Sequence, residues 1–574
     1  MSLPHLEAEI PPPAAPGAVA DPLARRLRVL KFGSSVLATP EDMATLVSEV
    51  YAHVRRGRKV VAVVSALAGE TDRLLREARA LGLPHETGWL PAHVVQGEAR
   101  SSLLAALACD RVGLDAAVLT VRELGLRGEG PACELHPVAL DGSALRDALA
   151  RHEVVIVPGF GALDGRGRVG LLGRGGSDMT AVFLAAELGL DRVTLVKDVD
   201  GLYDRDPAED PQHARRYDRA CWSTARAVGR EVIQPQAIGL AEARGLEIEI
   251  VAAGGRPGTI IGRSATAPRP PARRRRTRLA VAGCGVVGGG LLARLLSDDR
   301  FEVSGVLVRD PAKSRDEATP TGLLTDDPRR LLAERPDILL EAVSDGAAGE
   351  ALIRAALEAG VHVVTANKQA LARDPAGLQA LAAARGARLA FSATVGGGAP
   401  MIETIRAARE AGEISGFEAV LNGTVNFILS ELDRGADFDA ALAAARRAGF
   451  AEADASADLE ALDAAAKLRL LAFEAFGEAP ALLSIPRPAL DAAGARRGVR
   501  QIAICRRTAA GVRGEIIYRD VSDDPELLDL TGERNLLRVL TPDGACWSCR
   551  GRGAGRWATV EAMLADVRDC LMAP

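Results

Sequence analysis

The stretch Arg278-Leu-Ala-Val-Ala-Gly-Cys-Gly-Val-Val-Gly288 decides the fold of half of the chain, because a short apolar run leads directly into Gly-x-Gly-x-x-Gly. A helical pattern follows through Leu296, and a second apolar run ends at Val308. In this strand-turn-helix-strand order, the glycines bring backbone amides to the pyrophosphate of a dinucleotide. A second glycine-rich turn, Lys31-Phe-Gly-Ser-Ser35, follows another β-branched run near the start and predicts another anion site. The sequence therefore predicts two phosphate-binding enzymes joined end to end.

Composition limits the class of protein. The 574 residues are 48% hydrophobic and 26% charged with a net charge of −5, which is typical of a globular protein and argues against nucleic-acid or membrane-surface partners. The eight cysteines are scattered, and no apolar run approaches the roughly 18 residues of a membrane span, so we expect a cytoplasmic protein. Residues 1–27 are Pro/Ala-rich and predict a disordered tail; the Pro- and Arg-rich residues 263–277 predict a linker.

The N-terminal half alternates strand-like runs with helical stretches, which predicts an α/β fold with a mainly parallel sheet. Functional residues should then lie at the carboxyl ends of the strands. A second glycine loop, Gly173 to Asp178, leads into a helix near Met179, where Ser177 or Asp178 could cap the helix. Lys31 and Arg174 could stabilise a moving phosphoryl group, and Glu98 could bind an acceptor's ammonium. The predicted strands are Val29 to Lys31, Val60 to Ser65, Ala117 to Val121, Val154 to Pro158 and Arg192 to Val196.

Six motifs, in one order across residues 28–262, resemble those of aspartate kinases. They are Lys31-Phe-Gly33, Val63-Val-Ser-Ala66 with Thr71-Asp72, Gly97-Glu98 with Ser101, Leu172-Gly-Arg-Gly-Gly-Ser-Asp-Met-Thr-Ala181, Lys197-Asp-Val-Asp-Gly-Leu-Tyr203 with Asp206-Pro207, and Pro257-Gly-Thr259.

The resemblance implies that ATP with Mg²⁺ phosphorylates L-aspartate. It places Lys31 at the transferred phosphate and implies that aspartate binds Thr71, Glu98 and Arg174. The residues that it assigns to the ATP and magnesium side are Asp178, Lys197, Asp198, Tyr203 and Asp206.

Two residues depart from the family pattern. Ser34 stands where a second glycine is usual, and Gln234 replaces a histidine before Pro235. A side chain at position 34 could restrict the approach of the backbone to phosphate. The alternative is therefore a catalytically weak kinase-like domain that serves as a binding or dimerisation module.

In the C-terminal half, three features extend the dinucleotide pattern. Arg309, at the end of the second strand, favours NADP because an arginine suits a 2′-phosphate, whereas the next residue, Asp310, could bind a ribose hydroxyl of NAD. Lys368 ends a later strand, where the nicotinamide should lie. A helix predicted from about Ser456 has Leu459, Leu462, Ala466 and Leu470 on one face. Asp463 and Lys467, one turn apart, flank that face, and a simple i,i+4 ion pair is the alternative reading.

Further motifs across residues 278–570 resemble homoserine dehydrogenase. They are Ala366-Asn-Lys368, Thr394-Val-Gly-Gly-Gly-Ala-Pro400, Leu421-Asn-Gly-Thr-Val-Asn426, Gly449-Phe-Ala-Glu-Ala-Asp454 leading through Asp458 and Asp463 to Lys467, and Gly551-Arg-Gly-Ala-Gly555.

This resemblance implies the NAD(P)-dependent reduction of L-aspartate 4-semialdehyde to L-homoserine. Lys467 would exchange the proton, and Lys368 would assist beside the nicotinamide. Ala455 and Ala461 replace a proline and a glycine that are usual in the family, so we expect a local shift of geometry. The implied substrate site comprises Gly449, Glu452, Asp458 and Asp463; the cofactor site Gly283, Gly285, Val287, Gly288, Arg309, Thr365, Lys368 and Gly555; and a monovalent cation site (Na⁺ or K⁺) the backbone of Val395, Gly397 and Ala399.

The sequence thus predicts a bifunctional α/β chain that assembles as a homodimer or homotetramer. The short linker leaves no room between the two parts for the regulatory modules of many aspartate kinases. Cys546 and Cys549 form Cys-x-x-Cys without a second pair, so incidental thiols on a strand are favoured over zinc or redox chemistry. The predicted domains are an amino-acid-kinase-like α/β sandwich (28–262), a Rossmann domain (278–410, completed by about 550–574) and an α+β catalytic and dimerisation domain (411–549).

Overall fold

A computed structural model of the chain forms two compact units. The first unit comprises residues 1–46, 58–105 and 117–271, and the second comprises residues 47–57, 106–116 and 272–574. The structure describes residues 26–82, 88–229, 232–254, 257–271, 275–315, 319–451, 454–492 and 494–572. The predicted tail (1–27) therefore lies almost wholly outside the described residues, and the predicted domain boundaries stay a prediction.

The first unit has an eight-stranded sheet in the order β10-β12-β11-β9-β1-β2-β6-β3 and a four-stranded sheet in the order β5-β4-β7-β8. The central strands pair in parallel and are buried along nearly their whole length, as expected for a sheet covered on both faces. The strands are β1 (Leu27–Phe32), β2 (Lys59–Val64), β3 (Ala116–Val118), β4 (Leu126–Glu129), β5 (His136–Leu140), β6 (Val154–Pro158), β7 (Gly161–Leu163), β8 (Val169–Leu171), β9 (Arg192–Lys197), β10 (Arg219–Cys221), β11 (Glu247–Ala252) and β12 (Pro257–Gly262).

One predicted strand of this half is partly wrong. The run from Ala117 to Val121 forms a strand only at Ala116–Val118, and the helix Val121–Leu124 follows. Thr120 starts that helix, because its hydroxyl accepts a hydrogen bond from the amide of Glu123 in a capping box. The helices of the kinase-like sequence are Pro40–Asp42 (3₁₀), Met43–Val54, Glu70–Ala80, Leu90–Val94, Gln96–Val112, Val121–Leu124, Ser143–Arg151, Gly176–Glu187, Trp222–Val228 and Pro235–Arg244.

The second unit has a six-stranded parallel sheet in the order β15-β14-β13-β16-β17-β18 and a five-stranded antiparallel sheet in the order β21-β20-β19-β22-β23. In the parallel sheet the chain turns to opposite sides of β13, which creates the switch point where α/β sheets bind ligands. The strands are β13 (Thr277–Ala282), β14 (Phe301–Leu307), β15 (Leu324–Thr325), β16 (Ile338–Glu341), β17 (His362–Thr365), β18 (Leu389–Ala390), β19 (Gly416–Val420), β20 (Val499–Thr508), β21 (Gly511–Asp520), β22 (Arg534–Leu540) and β23 (Cys546–Arg552).

The predicted helix from Ser456 is broken in two, at Ser456–Leu459 and Leu462–Phe476. Between them Ala461 adopts a left-handed φ of 56°, so the two pieces do not share one continuous face. The predicted apolar stripe is therefore partly wrong: Leu470 is buried as expected, but Leu462 and Ala466 are only half-buried, whereas Ala464 and Leu468 are buried. The helices of this part of the sequence are Val286–Leu295, Thr321–Leu323 (3₁₀), Pro328–Ala333, Gly346–Glu358, Lys368–Arg373, Pro375–Ala384, Ser392–Thr394 (3₁₀), Met401–Ala411, Gly423–Asp433, Phe438–Arg447, Ser456–Leu459, Leu462–Phe476, Leu482–Ser484 (3₁₀), Pro525–Leu528 and Arg556–Met572.

Residues 47–57 belong to the second unit although they lie early in the sequence. Arg55 is buried there; its guanidinium pairs with Asp566 at 2.6 Å and with Glu403, and donates to the hydroxyl of Ser392 at 3.2 Å. Burying a charge is costly unless it is paired in this way. The α/β class predicted for both parts of the chain is confirmed.

Candidate active sites

In the first unit, three charged side chains meet at the carboxyl edge of the large sheet. Lys31 lies near the end of β1, Lys197 ends the neighbouring strand β9, and Asp178 lies in the first turn of the helix Gly176–Glu187. The carboxylate of Asp178 pairs with the ammonium groups of Lys31 at 2.7 Å and of Lys197 at 3.0 Å. All three residues are buried, and we call them the first lysine cluster.

The pKa values in this cluster follow from burial and from the shared charges. Burial, together with the like charge of Lys31, lowers the pKa of Lys197 to about 8, although Asp178 opposes the shift. Burial alone would raise the pKa of Asp178, but the two ammonium groups hold it below its usual value. The cluster therefore carries a net positive charge that a phosphate would complement.

The glycine loops of this site leave room for an anion. A Cβ at Gly33 would come within 2.9 Å of the Lys31 ammonium, so a larger residue there would shift the end of the lysine side chain. Gly175, at φ 79°, is the N-cap of the helix Gly176–Glu187, and no side chain caps that helix. The expected capping by Ser177 or Asp178 is therefore wrong, because Asp178 pairs with the lysines instead. Ser34 is exposed.

Glu98 is a buried carboxylate with an unused oxygen. Its Oε1 accepts from the amide of Ala66 at 3.2 Å, whereas Oε2 and the buried hydroxyl of Ser101 have no partner within the described part of the chain. Burial raises the pKa of Glu98 to about 7. Such a group can receive an ammonium.

The other predicted residues of this half lie at the surface or near it. Thr71 is half-buried in the helix Glu70–Ala80, and Arg174, Asp198 and Asp206 are exposed. The hydroxyl of Tyr203 donates to Asp200 at 2.6 Å. The sequence prediction missed Asp200, which the Asp-Val-Asp spacing could have indicated.

The second unit contains a similar group, which we call the second lysine cluster: Lys368, Asp463 and Lys467. Asp463 and Lys467 lie one turn apart on the helix Leu462–Phe476, and Lys368 begins the helix Lys368–Arg373 directly after β17. The Asp463 carboxylate pairs with Lys467 at 2.8 Å and with Lys368 through its other oxygen. Burial would raise the pKa of Asp463, but the charge of Lys467, followed by that of Lys368, holds it far below its usual value.

The backbone carbonyl of Leu421 and the side chain of Asn422 complete this cluster. The Lys467 ammonium also donates to the carbonyl of Leu421 at 2.9 Å. The amide of Asn422 donates to Asp458 at 2.7 Å and to Asp463 at 3.2 Å, while its oxygen caps the helix Gly423–Asp433. Asn422 was not predicted as a site residue, although an asparagine between a strand and a glycine-initiated helix is a recognisable cap.

The dinucleotide loop follows β13. Gly283 has φ 91°, and a Cβ there would lie 2.5 Å from the carbonyl oxygen of Ala342; a Cβ at Gly288 would collide with the carbonyl of Gly283. Around Gly285 no atom lies within 4 Å of an added Cβ, and no side chain caps the helix Val286–Leu295. The open helix start fits a pyrophosphate.

The remaining predicted residues of this part take varied positions. Thr365 is buried at the end of β17, Val287 is half-buried, and Arg309, Gly449 and Gly555 are exposed. Asp458 contacts Asn422, and Glu452 lies outside the described residues.

The predicted cation loop is buried from Val395 to Ala399, and Gly396 and Gly397 have positive φ angles of 82° and 56°. The carbonyl of Ala399 already accepts a hydrogen bond from the amide of Met401 at 2.8 Å. Among the described residues no cluster of three His, Cys, Asp or Glu side chains could hold a metal, so a cation here would depend on backbone oxygens.

Cys546 and Cys549 are both on β23. Because successive side chains of a strand alternate, residues three apart point to opposite faces. Cys546 is exposed, and Cys549 is half-buried. This arrangement does not support a shared zinc ion or a disulfide between them.

Comparison with known proteins gives the family. Residues 283–392 match the model for the NAD binding domain of homoserine dehydrogenase, and residues 400–567 match the model for homoserine dehydrogenase itself. A homoserine dehydrogenase of Pseudomonas aeruginosa is 32% identical over 321 residues, which cover 52% of this chain and 72% of that relative. The chain belongs to the homoserine dehydrogenase family. A solved homoserine dehydrogenase from Thiobacillus denitrificans is 32% identical with a TM-score of 0.48, covering 52% of this chain and 73% of that one.

This homoserine dehydrogenase family member also carries a kinase-like domain. Residues 26–252 match the model for the amino acid kinase family. The aspartokinase of Pseudomonas aeruginosa is 34% identical over 218 residues, which cover 37% of this chain and 52% of the relative. The chain thus spans about half the length of the aspartokinase that it matches.

Proposed function

We propose that the second unit oxidises L-homoserine to L-aspartate 4-semialdehyde and catalyses the reverse reduction with NAD(P). The observation that carries this proposal is the second lysine cluster, which adjoins the carboxyl end of a strand in the same sheet as the dinucleotide loop. A nicotinamide cofactor supplies the hydride acceptor or donor, so the protein has to manage the proton of the substrate hydroxyl.

Lys467 is the group that we assign to this proton. Its ammonium donates to Asp463 and to the Leu421 carbonyl, which leaves a third proton for the carbonyl oxygen of the semialdehyde in the reduction. In the oxidation the transfer runs in reverse, and the amine of Lys467 takes the proton of the substrate hydroxyl. Lys368 lies on the opposite oxygen of Asp463 and stabilises the developing alkoxide. Gly449, Glu452, Asp458 and Asp463 would hold the amino acid end of the substrate.

Purified protein assayed with homoserine and each cofactor in turn tests this function. Arg309 supports NADP as the preferred cofactor, so the Arg309→Ala variant should lose preference for NADP and retain turnover with NAD. An absence of homoserine oxidation with both cofactors would contradict the proposal.

We propose that the first unit transfers the γ-phosphoryl group of ATP to the side-chain carboxylate of L-aspartate, releasing ADP. The first lysine cluster supports this, because two ammonium groups on one carboxylate supply the charge that phosphoryl transfer requires. The free oxygen of Glu98 would receive the ammonium of aspartate, together with Thr71 and Arg174. The exposed carboxylates Asp198 and Asp206, with Tyr203, would lie on the ATP and magnesium side, since Mg²⁺ prefers oxygen ligands.

The formation of acyl phosphate from ATP and aspartate, trapped as a hydroxamate, tests the kinase. A Lys31→Ala variant is the control. Equal background in both proteins would favour the alternative of a kinase-like binding or dimerisation module.

We propose further that the backbone of Val395, Gly397 and Ala399 binds Na⁺ or K⁺. The buried loop with two left-handed glycines supports this, because such turns gather carbonyl oxygens. Dehydrogenase turnover measured in tetramethylammonium buffer with added Na⁺ or K⁺ provides the test.

Assembly and location stay predictions. We expect a cytoplasmic homodimer or homotetramer, which light scattering of the purified protein would check. In the described part of the chain, no helix combines the length and the apolar character that crossing a membrane requires.

A further inference from the structure

Glu341 is a buried carboxylate that pairs with no cation among the residues that the structure describes. It ends β16, which pairs in parallel with β13, the strand that leads into the dinucleotide loop. Its side chain is fully buried. Its hydrogen-bond donors are neutral: the hydroxyl of Thr365, the amide of Asn367 at 3.1 Å and the backbone N–H of Val343 at 2.9 Å. Burying a carboxylate without a cation is costly, so such a group calls for a functional reason.

The donors to Glu341 lead to the second lysine cluster. Thr365 ends the adjacent strand β17, and its hydroxyl accepts from the backbone amide of Asn367 at 2.9 Å. Asn367 is buried and caps the helix Lys368–Arg373 through its side-chain oxygen. The first residue of that helix is Lys368, so the position of this lysine depends on the cap.

Glu341 and Asn367 together also bind the loop after β16, which contains Val343 and Asp345. The amide of Asn367 donates to the carbonyls of Val343 at 3.0 Å and Asp345 at 3.3 Å. A Cβ at Gly349 would lie 2.9 Å from Glu341 Oε1 and would collide with the Asn367 amide. Because Ala342 packs against Gly283 of the dinucleotide loop, one buried group links the cofactor loop to the start of the lysine helix.

We propose that Glu341 is a positioning residue for the dehydrogenase reaction, which fixes Lys368 through Thr365 and Asn367. The carboxylate touches neither Asp463 nor the dinucleotide loop itself, so it acts through the residues that it holds. This inference rests on the proposed dehydrogenase function and names a residue that the lysine cluster needs.

A double-mutant cycle tests it. The variants are Glu341→Gln, Lys368→Met and the double variant, assayed in the full-length protein by homoserine oxidation with the cofactor that the wild type prefers. We expect Glu341→Gln to lower kcat about 10- to 100-fold, the effect of misplacing a reacting group by about 1 Å. In the Lys368→Met background the same substitution should change kcat less than about twofold, because its target is gone.

Glu561→Gln is the matched control. Glu561 is also buried, burial also raises its pKa, and it accepts from the hydroxyl of Ser48. It differs from Glu341 in that the charges of Arg294 and Arg568 oppose the rise of its pKa. We expect it to lower the melting temperature about as much as Glu341→Gln and to leave kcat unchanged. Equal kinetic losses in both variants, or losses that multiply in the double variant, would overturn the proposal.

A milder variant covers the case in which Glu341→Gln does not fold. Thr365→Val removes the hydroxyl that donates to Glu341 and accepts from the backbone amide of Asn367. It should lower kcat about 5- to 30-fold, the equivalent of two hydrogen bonds, with no further loss in the Lys368→Met background. Multiplying losses would overturn the proposal here too. If the wild type itself fails to oxidise homoserine, the proposed function fails; an active wild type with multiplying losses refutes only the role of Glu341.

Discussion

The two lysine clusters have the same composition and different construction. In each, one aspartate receives two ammonium groups, at 2.7 and 3.0 Å around the buried Asp178 and at 2.8 Å from Lys467 to the half-buried Asp463, with Lys368 on the second oxygen. In the first cluster both lysines come from the ends of adjacent strands. In the second, one lysine shares a helix with the aspartate and the other begins a separate helix.

This difference suits the two proposed reactions. Strand ends hold the first pair of charges rigidly, which suits a phosphoryl group whose charge is spread over several oxygens. In the second cluster the side chain of Lys368 is 34% exposed and that of Lys467 is 10% exposed. Lys368 is therefore open to a bound ligand, whereas Lys467 is shielded from water, which suits the transfer of one proton without exchange with solvent.

The largest effect should come from Lys467→Met. It removes the proposed proton carrier, and we expect kcat for homoserine oxidation to fall by at least about 1,000-fold, within the range for loss of a proton-transfer group. Cofactor affinity, measured by titration calorimetry, should stay within about twofold. Kinase activity of the same variant is the internal control, and normal homoserine turnover would remove Lys467 from the mechanism.

The reciprocal variant is Lys31→Met. The loss of one preorganised charge at the phosphate should lower acyl phosphate formation about 100- to 1,000-fold, while homoserine oxidation stays unchanged. Parallel assays of both activities measure this. If Lys31→Met impaired both reactions equally, the clusters would not be independent.

The pH dependence separates the clusters further. Glu98, with a pKa of about 7, gains the charge that binds ammonium as pH rises, whereas Lys197, with a pKa of about 8, loses its charge as pH rises. The kinase kcat/KM should therefore rise through about pH 7 and fall beyond about pH 8. Lys197→Arg keeps its charge at every accessible pH, so the falling limb should move upward. A profile unchanged by Lys197→Arg would exclude Lys197 as the group responsible.

The smallest effect concerns the helix starts. Asp178 and Asp463 each lie in the first turn of a helix whose N-cap is left-handed, Gly175 at φ 79° and Ala461 at φ 56°. Gly175→Ala should destabilise the protein by about 1–2 kcal/mol, because alanine strains this conformation and its methyl would meet Gln234.

The opposite exchange, Ala461→Gly, should change the free energy of unfolding by less than about 1 kcal/mol. Relief of backbone strain is offset by the loss of a buried methyl group and by the greater freedom of glycine in the unfolded chain. Urea denaturation monitored by circular dichroism measures both variants. A larger loss for Ala461→Gly than for Gly175→Ala would show that the methyl group, and not the backbone, determines stability at position 461.

Local patterns carried most of the fold prediction. The apolar runs of β1, β2, β6, β9 and β13 and the glycine loops after them were read from the sequence, because strands and tight turns are specified by neighbouring residues. The same approach failed at Thr120 and Ala461, where a capping box and a left-handed alanine end the regular elements. Strand ends and helical spacing also indicated Lys31, Lys368, Asp463 and Lys467; the family resemblance supplied their detailed roles, which stay predictions.

The sequence by itself determined the two α/β parts, the order of their motifs and the residues that could carry charge, since these depend on periodicity and on residue type. Only the tertiary structure decided which charges meet. It paired Asp178 with Lys31 and Lys197, joined Asn422 to Asp463, joined the buried Glu341 to Asn367 and assigned residues 47–57 to the second unit. The physical reason is that burying a charge is costly unless a polar or charged group lies beside it, and that group is near in space but often distant in sequence.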